Sequence, residues 1–279
     1  MIHFILNPNA GTNSRQKKAM ILAKLQSIPS AKIWVTEYMN HATELTKLAL
    51  SENPERIIVI GGDGTINEVA SAMLFTAIPL GIIPLGSGNG LARHLGIPLN
   101  FDKALIKALK GEIITIDAGK WNERPFFCTA GIGFDATVAA HFAKRGKRGF
   151  FNYLYSTFAC ITKYKAVEIK ERGLVYSFTV ANANQFGNNA YISPESDLQD
   201  GHLESIEIKP GSFFSLAILG ISLFTKKLHL SKLASISSLK SLTLHTKAGL
   251  PFHLDGESLV LTTDKIDIHI LPASLQVIK

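Results

Sequence analysis

Residues 56–68, RIIVIGGDGTINE, run an apolar β-branched stretch straight into three glycines with an aspartate between them. A strand that ends in small residues and enters a helix exposes several backbone N–H groups at the helix N-terminus, where the peptide dipoles favour an anion. Glycines there let phosphate oxygens approach the backbone closely. A tight βα turn with no ligand is the competing explanation. It is weakened by two further turns of the same character: NPNAG (Asn7 to Gly11) after the strand-like IHFIL, and PLGSGNG (Pro84 to Gly90) after LGIIPL. In an open parallel sheet the loops at the carboxyl ends of the strands share one crevice, so three such turns suit one phosphate chain.

The runs IHFIL, KIWV, RIIVI and LGIIPL alternate with helix-period segments over Arg15 to Leu25, Ala42 to Leu50 and Thr65 to Met73. That alternation predicts parallel strands joined by crossover helices. From about Ile116 the texture changes to closely spaced strand candidates: TIDAGKW, RPFFCTA, AVEIKE, LVYSFTVAN, HLESIEIK, SLTLHT, FHLDGE, SLVLTT and DIHILP. Such a series predicts antiparallel sheets arranged as a sandwich or open barrel. Helical inserts interrupt it near 137–165 and 212–227. The expected fold is therefore α/β plus mostly β, with an α/β domain over 1–118 and a β-sandwich domain over 119–279 whose last strand is able to return to the first. No solenoid-period repeat or low-complexity tract appears.

A net charge of +7 and a pI near 9.3 suit nucleic acid, an anionic membrane or a polyphosphate substrate alike. Cys128 and Cys160 lie far apart in apolar surroundings, which points away from a disulfide framework or a CxxC metal site and fits a reducing cytoplasm. No basic start with a long apolar core follows Met1, so no secretory signal is expected. FFSLAILGISLF (Phe213 to Phe224) is shorter than the ~20 residues that span a bilayer, although it could lie on one. No GxxxxGK[ST], HExxH or GxSxG is present. GIGFDA (Gly131 to Ala136) fits a dinucleotide fingerprint, but AKRGKRGFFNYLY follows where a strand ending in an acid is required.

At this point the chain resembles the diacylglycerol kinase catalytic-domain family, which includes bacterial lipid kinases and sphingosine and ceramide kinases. The resemblance runs in order through NPNAG, Thr36 with His41 and Ala42, GGDGTINEV, PLGSGNGLAR, IDAGKWN, GIGFDA, SPESDLQDGHLE and HLDGE. GGDGT alone also looks like NAD kinases and phosphofructokinases; the later DG and DGE motifs separate this chain from them. The resemblance implies ATP- and Mg²⁺-dependent phosphorylation of a lipid hydroxyl by a nucleotide-binding α/β domain and a β-sandwich domain, with the active site in the cleft between them.

By that resemblance Asn7, Asn9, Thr36, Gly61, Gly62, Asp63, Gly64, Thr65, Asn67, Gly86, Ser87 and Asn89 line the ATP site. A carboxylate beside phosphates is repulsive without a cation, so Asp63 is expected to hold Mg²⁺ or its waters, with a helix-capping role as the alternative. Glu68 reads as a first-turn acid that favours the dipole. Asp255 and Gly256 read locally as a hairpin turn; the resemblance makes Glu257 the general base and Asp117 its acidic partner. In DLQDGHL it makes Asp200 the side-chain ligand of a structural Mg²⁺, with backbone carbonyls of Asp197 and His202 completing the set. Gly90 stands where many bacterial members have an acid, which leaves substrate choice open.

Lys144, Arg145, Lys147 and Arg148 beside Phe150, Phe151, Tyr153 and Tyr155 suit an anionic headgroup layer or, equally, an ordinary solvated helix end. No helix-turn-helix, zinc or RNA-binding pattern supports nucleic acid. The expected partners are ATP and a lipid at an anionic membrane surface, with a homodimer compatible. The expected place is the cytoplasm, with peripheral contact at the inner membrane face. The rival functions are a kinase of a soluble polyol or nucleotide such as NAD, and a nucleotide- or lipid-binding regulator that does not turn over.

Overall fold

Apolar runs without polar alternation suit strands covered on both faces, and the first part of the chain is built on such runs at Ile2–Leu6, Arg56–Gly61 and Leu80–Pro84, with the less buried Ala31–Val35 beside them. The computed structural model describes residues 1–11, 15–145, 149–161 and 164–279. These divide into two units, Met1–Ile116 with Ala273–Lys279, and Asp117–Pro272.

The first unit runs β1 (Ile2–Leu6), α1 (Arg15–Gln26), β2 (Ala31–Val35), α2 (His41–Ser51), β3 (Arg56–Gly61), α3 (Asp63–Ala72), β4 (Leu80–Pro84), α4 (Gly90–His94) and α5 (Phe101–Lys110). Its strands are parallel in the order β2-β1-β3-β4. Phe4, Ile5, Ile57, Ile58, Val59, Ile60 and Leu80 are wholly buried along them. The register pairs Leu6 with Val35 and with Ile60, and Gly61 with Pro84, so the carboxyl ends of all four strands come level. That register brings the glycine-rich turns together.

β5 (Ile113–Trp121) carries the chain into the second unit, followed by β6 (Arg124–Phe126), β7 (Thr129–Gly133), α6 (Phe134–Arg145), α7 (Phe150–Ile161), β8 (Val167–Ile169), β9 (Gly173–Val175), β10 (Ser177–Ala181), β11 (Leu203–Ile208), α8 (Phe213–Phe224), β12 (Ala234–Leu239), β13 (Ser241–His245), β14 (Pro251–Leu254), β15 (Glu257–Val260) and β16 (Lys265–Ile278). An antiparallel sheet has the order β12-β11-β10-β7-β14-β15, and β13 pairs antiparallel with the first part of β16. The unit's main core gathers Trp121, Phe126, Phe178, Phe252 and Ile268, and a second cluster under α8 holds Tyr176, Ile206, Ile208, Leu216, Leu219 and Leu228. In β16 Ala273 adopts φ 47°, left-handed and rare for alanine, and Val277 beyond it pairs parallel with Leu80 of β4.

The expected combination of a parallel α/β part and an antiparallel part is the fold observed. Three elements, α4, α5 and β12, lie outside the segments assigned from sequence. α5 has a clear start signal, since the Asn100 side chain accepts the Lys103 N–H, and β12 is serine-rich. β7 pairs antiparallel with both β10 and β14, so the GIGFDA turn belongs to no parallel dinucleotide-binding unit. Among the described residues no helix is long and apolar enough to cross a membrane.

Candidate active site

In the first unit the three glycine-rich turns are joined by side chains and by contact of their backbones. Asn7, at the end of β1, donates from Nδ2 to Thr65 Oγ1 at 2.8 Å, and its own Oδ1 accepts the Asn9 N–H at 2.8 Å. Thr36, buried at the end of β2, donates its N–H to the Leu6 carbonyl at 2.9 Å. Gly62 and Gly86 meet so closely that a Cβ on Gly86 would lie 2.8 Å from the Gly62 Cα and 2.7 Å from Asn89 Oδ1. Only glycine lets these two turns touch. The α3 N-terminus begins at Asp63 after the N-cap Gly62, which supplies no side-chain cap. Gly61 is buried, Gly64 half-buried and Ser87 exposed, while Asn67 accepts a hydrogen bond from Ser71 Oγ at 3.3 Å.

The Asp63 carboxylate accepts the Asn89 N–H on one oxygen and the Gly90 N–H on the other, both at 2.8 Å. It therefore sits at the start of α3 and clamps the start of α4, fixing the turn that carries Gly86, Ser87 and Asn89. Asn89 is buried with Nδ2 on the Gly86 carbonyl, and its Oδ1 is a buried acceptor without a partner. A glycine cradle with an orphaned acceptor, at an uncapped helix N-terminus, fits a phosphorylated nucleotide carrying hydroxyl and amine donors.

Glu68 departs from its reading. It lies in the second turn of α3, and its carboxylate accepts the Asn40 N–H at 3.2 Å and the Ala42 N–H at 3.0 Å, capping α2 instead of its own helix. Burial pushes its pKa up against those hydrogen bonds.

In the second unit the acidic motifs are held by backbone amides. Asp255 and Gly256 form the two-residue turn between β14 and β15, with φ 47° and 83°, as a type I′ hairpin requires. The buried Asp255 carboxylate accepts N–H groups from Phe127 at 2.9 Å, Cys128 at 2.7 Å and Thr129 at 3.1 Å. Glu257 follows this clamped turn with an exposed side chain. Asp117 is buried in β5, and its Oδ2 accepts the Gly201 N–H at 2.8 Å. Asn182 Nδ2 donates to the Asp117 carbonyl at 2.9 Å and the Phe127 carbonyl at 3.0 Å. A buried amide thus ties the strand of Asp117 to the segment that clamps Asp255.

The Asp197–His202 loop is closed by its own side chains. Asp197 Oδ1 accepts the Gln199 N–H at 3.0 Å, Asp200 Oδ1 accepts the His202 N–H at 2.9 Å, and His202 Nδ1 lies 2.8 Å from the Asp200 carbonyl. Among the described residues no group of three or more His, Cys, Asp or Glu side chains is gathered as a metal site. Such a donor set fits Mg²⁺ held by one or two carboxylates with carbonyls, phosphates or water, and does not fit an all-side-chain cage.

A further buried group carries no role in the sequence reading. Asp135, from the GIGFDA turn, accepts Thr179 Oγ1 at 2.6 Å and lies 3.0 Å from His253 Nε2. His253 is on β14, so this pair backs the strand that leads into the Asp255 turn. The unit also contains a cavity of about 520 Å³ lined by Ile161, Tyr164, Tyr176, Phe213 and Leu216 among others. The Tyr164 and Tyr176 hydroxyls are buried without partners, and burial holds both phenols well above their usual range. Of the basic cluster expected at 144–148, Lys147 and Arg148 lie outside the described residues, and the Arg145 guanidinium stacks 3.9 Å over the Tyr155 ring.

The chain matches the diacylglycerol kinase catalytic domain over residues 1–121. It is 28% identical over 98% of its length, and 93% of the relative's, to a Klebsiella pneumoniae protein named "Probable lipid kinase YegS-like". A Mycobacterium tuberculosis diacylglycerol kinase is also 28% identical, over 85% of this chain and 81% of its own. A solved structure from Bacillus anthracis str. Sterne shares the fold, with a TM-score of 0.79, 23% identity, and coverage of 99% of this chain and 94% of its own.

Proposed function

We propose that this chain transfers the γ-phosphate of ATP to the hydroxyl of a membrane lipid of the diacylglycerol class. The observation that carries the reading is the glycine cradle, in which Gly62 and Gly86 touch and Asp63 locks the two turns through the amides of Asn89 and Gly90. Asn7, Asn9, Thr36, Gly61, Gly64, Thr65, Asn67 and Ser87 complete the nucleotide set. Mg²⁺ beside Asp63 would neutralise phosphate charge during transfer, and a second Mg²⁺ would be held by Asp200 with the carbonyls of Asp197 and His202.

Glu257 accepts the proton of the lipid hydroxyl as that oxygen bonds to the γ-phosphorus and the bond to the leaving ADP oxygen breaks. Asp255 holds the hairpin that presents Glu257, and Asp117 acts as the acidic partner that tunes it. The names borne by the relatives, diacylglycerol kinase and lipid kinase, support the acceptor class.

The test is transfer of labelled γ-phosphate from ATP to mixed micelles containing diacylglycerol, monoacylglycerol, sphingoid base, ceramide and phosphatidylglycerol, set beside a soluble panel of polyols and NAD. Labelled lipid is expected, and Glu257→Gln should lower kcat by at least 10²-fold, the scale of a lost general base. Label only in the soluble panel overturns the acceptor, and a fully active Glu257→Gln overturns the base.

A further inference from the structure

We infer that α8 docks this chain on an anionic bilayer, with its outer face in the boundary between headgroups and acyl chains and the lysines that follow it, Lys226 and Lys227, on the headgroups. The inference deepens the lipid-acceptor reading and rests on it for its purpose, while its observations are separate from the glycine cradle and from Glu257.

The twelve residues of α8, FFSLAILGISLF, include no charged side chain. Leu216 and Leu219 are buried on its inner face. Its outer face is apolar too: Phe214 is 79% exposed, Ile218 68% and Ile221 64%, and their i, i+4, i+7 spacing puts them on one stripe. Phe213, 51% exposed, adjoins that stripe. A helix apolar on all sides belongs inside a protein or in lipid. At roughly 18 Å, α8 is too short to span a bilayer, so the geometry available to it is to lie in the plane of the interface.

Charge selects the occupant. Between residues 209 and 240 the chain has five lysines and no aspartate or glutamate. Lys209, Lys226, Lys227, Lys232 and Lys240 are all exposed. Lys226 and Lys227 directly follow the helix, with the Lys226 ammonium 4.4 Å over the Tyr191 ring. An apolar stripe followed directly by two exposed lysines, in a stretch without acids, complements acyl chains beneath acidic headgroups. Two copies joined through this face would instead crowd like charges together, and a nucleic acid would leave the apolar stripe in water.

The experiment is flotation of the full chain with phosphatidylcholine vesicles and with vesicles that also contain phosphatidylglycerol. The wild type is expected to float with the anionic vesicles and to be released by salt. Lys226→Gln with Lys227→Gln should weaken binding about 25-fold, roughly fivefold per lysine. Phe214→Ser with Ile218→Ser should weaken it at least tenfold, with the melting temperature unchanged because both side chains are exposed. Turnover of a monomeric short-chain acceptor should be the same in every variant. Equal vesicle binding by wild type and variants overturns the inference. So does a wild type that labels lipid in micelles yet never floats, a result that leaves the acceptor reading standing. Variant-sensitive flotation by a protein that labels no lipid supports docking and removes the acceptor reading. Dimerisation in solution that is lost in the serine variant, without flotation, makes this face a protein interface and overturns docking.

Discussion

Replacing Asp255 by Asn probes how the hairpin before Glu257 is held. Asn matches Asp in volume and accepts the left-handed conformation, φ 47°, that this position adopts, so the change is confined to the carboxylate. One carboxylate oxygen accepts the N–H groups of Cys128 and Thr129, and the other that of Phe127. In the Asn variant an NH₂ group replaces one of these oxygens and faces a donor. With the carbonyl kept on Cys128 and Thr129, the buried Phe127 N–H loses its partner at about 1–3 kcal/mol. The two remaining bonds fall from charge-assisted to neutral, about 1 kcal/mol each. The total is about 3–5 kcal/mol, a large share of the 5–15 kcal/mol typical of a domain. Urea unfolding should show a lowered midpoint at constant slope. Lipid phosphorylation should lose kcat by on the order of tenfold while the KM for ATP stays within about twofold, since Asp255 is placed here with the base and not with the nucleotide. A midpoint within about 0.5 kcal/mol of the wild type, or a loss confined to the KM for ATP, would refute the clamp.

Gly86→Ala should force the two nucleotide turns apart, because its Cβ would meet the Gly62 Cα at 2.8 Å; the expected result is at least a tenfold weaker ATP affinity by calorimetry with a far-UV spectrum like that of the wild type. A wild-type affinity would exclude the cradle as the nucleotide site. His3 is wholly buried in β1 and accepts the Trp34 Nε1–H at 3.3 Å, and burial lowers its pKa below 6.5. Between that lowered value and 6.5 the unfolded chain binds the extra proton, so stability rises with pH there and is lost as pH falls below 6.5, by at most about 1.4 kcal/mol per pH unit. His3→Gln should flatten this slope in urea midpoints measured from pH 5 to 8; an unchanged slope would assign the titration to another group.

The parallel half was legible because its chemistry is local. RIIVI, short, β-branched and ended by glycines, reads as a strand covered on both faces, and level strand ends follow once the four strands align in parallel. β12 was not legible: ASISSL offers one isoleucine, and its place is fixed by the distant partner β11, where Ile236 sits opposite Ile206. The cap that Glu68 puts on α2 escaped for the same reason, since its donors, the amides of Asn40 and Ala42, come from another helix. Asp135 was visible only inside a misleading glycine pattern. Its partner His253 lies 118 residues away in sequence, beyond any spacing rule.

The three Asp-Gly pairs at 63–64, 200–201 and 255–256 share a logic that sequence alone does not separate from catalysis. In each the aspartate accepts backbone N–H groups: Asn89 and Gly90 for Asp63, His202 for Asp200, and Phe127 to Thr129 for Asp255. A carboxylate is the best single acceptor for several amides at once, and the glycine beside it gives the chain room to turn. Gly201 then donates its own N–H to Asp117, and Asn182 links the Asp117 carbonyl to that of Phe127. The two acidic turns of the second unit are thereby connected through buried polar groups, and a displaced loop at 197–202 would be felt at the Asp255 clamp. The acids most prominent in the sequence are thus fastened into the scaffold by the amides they accept.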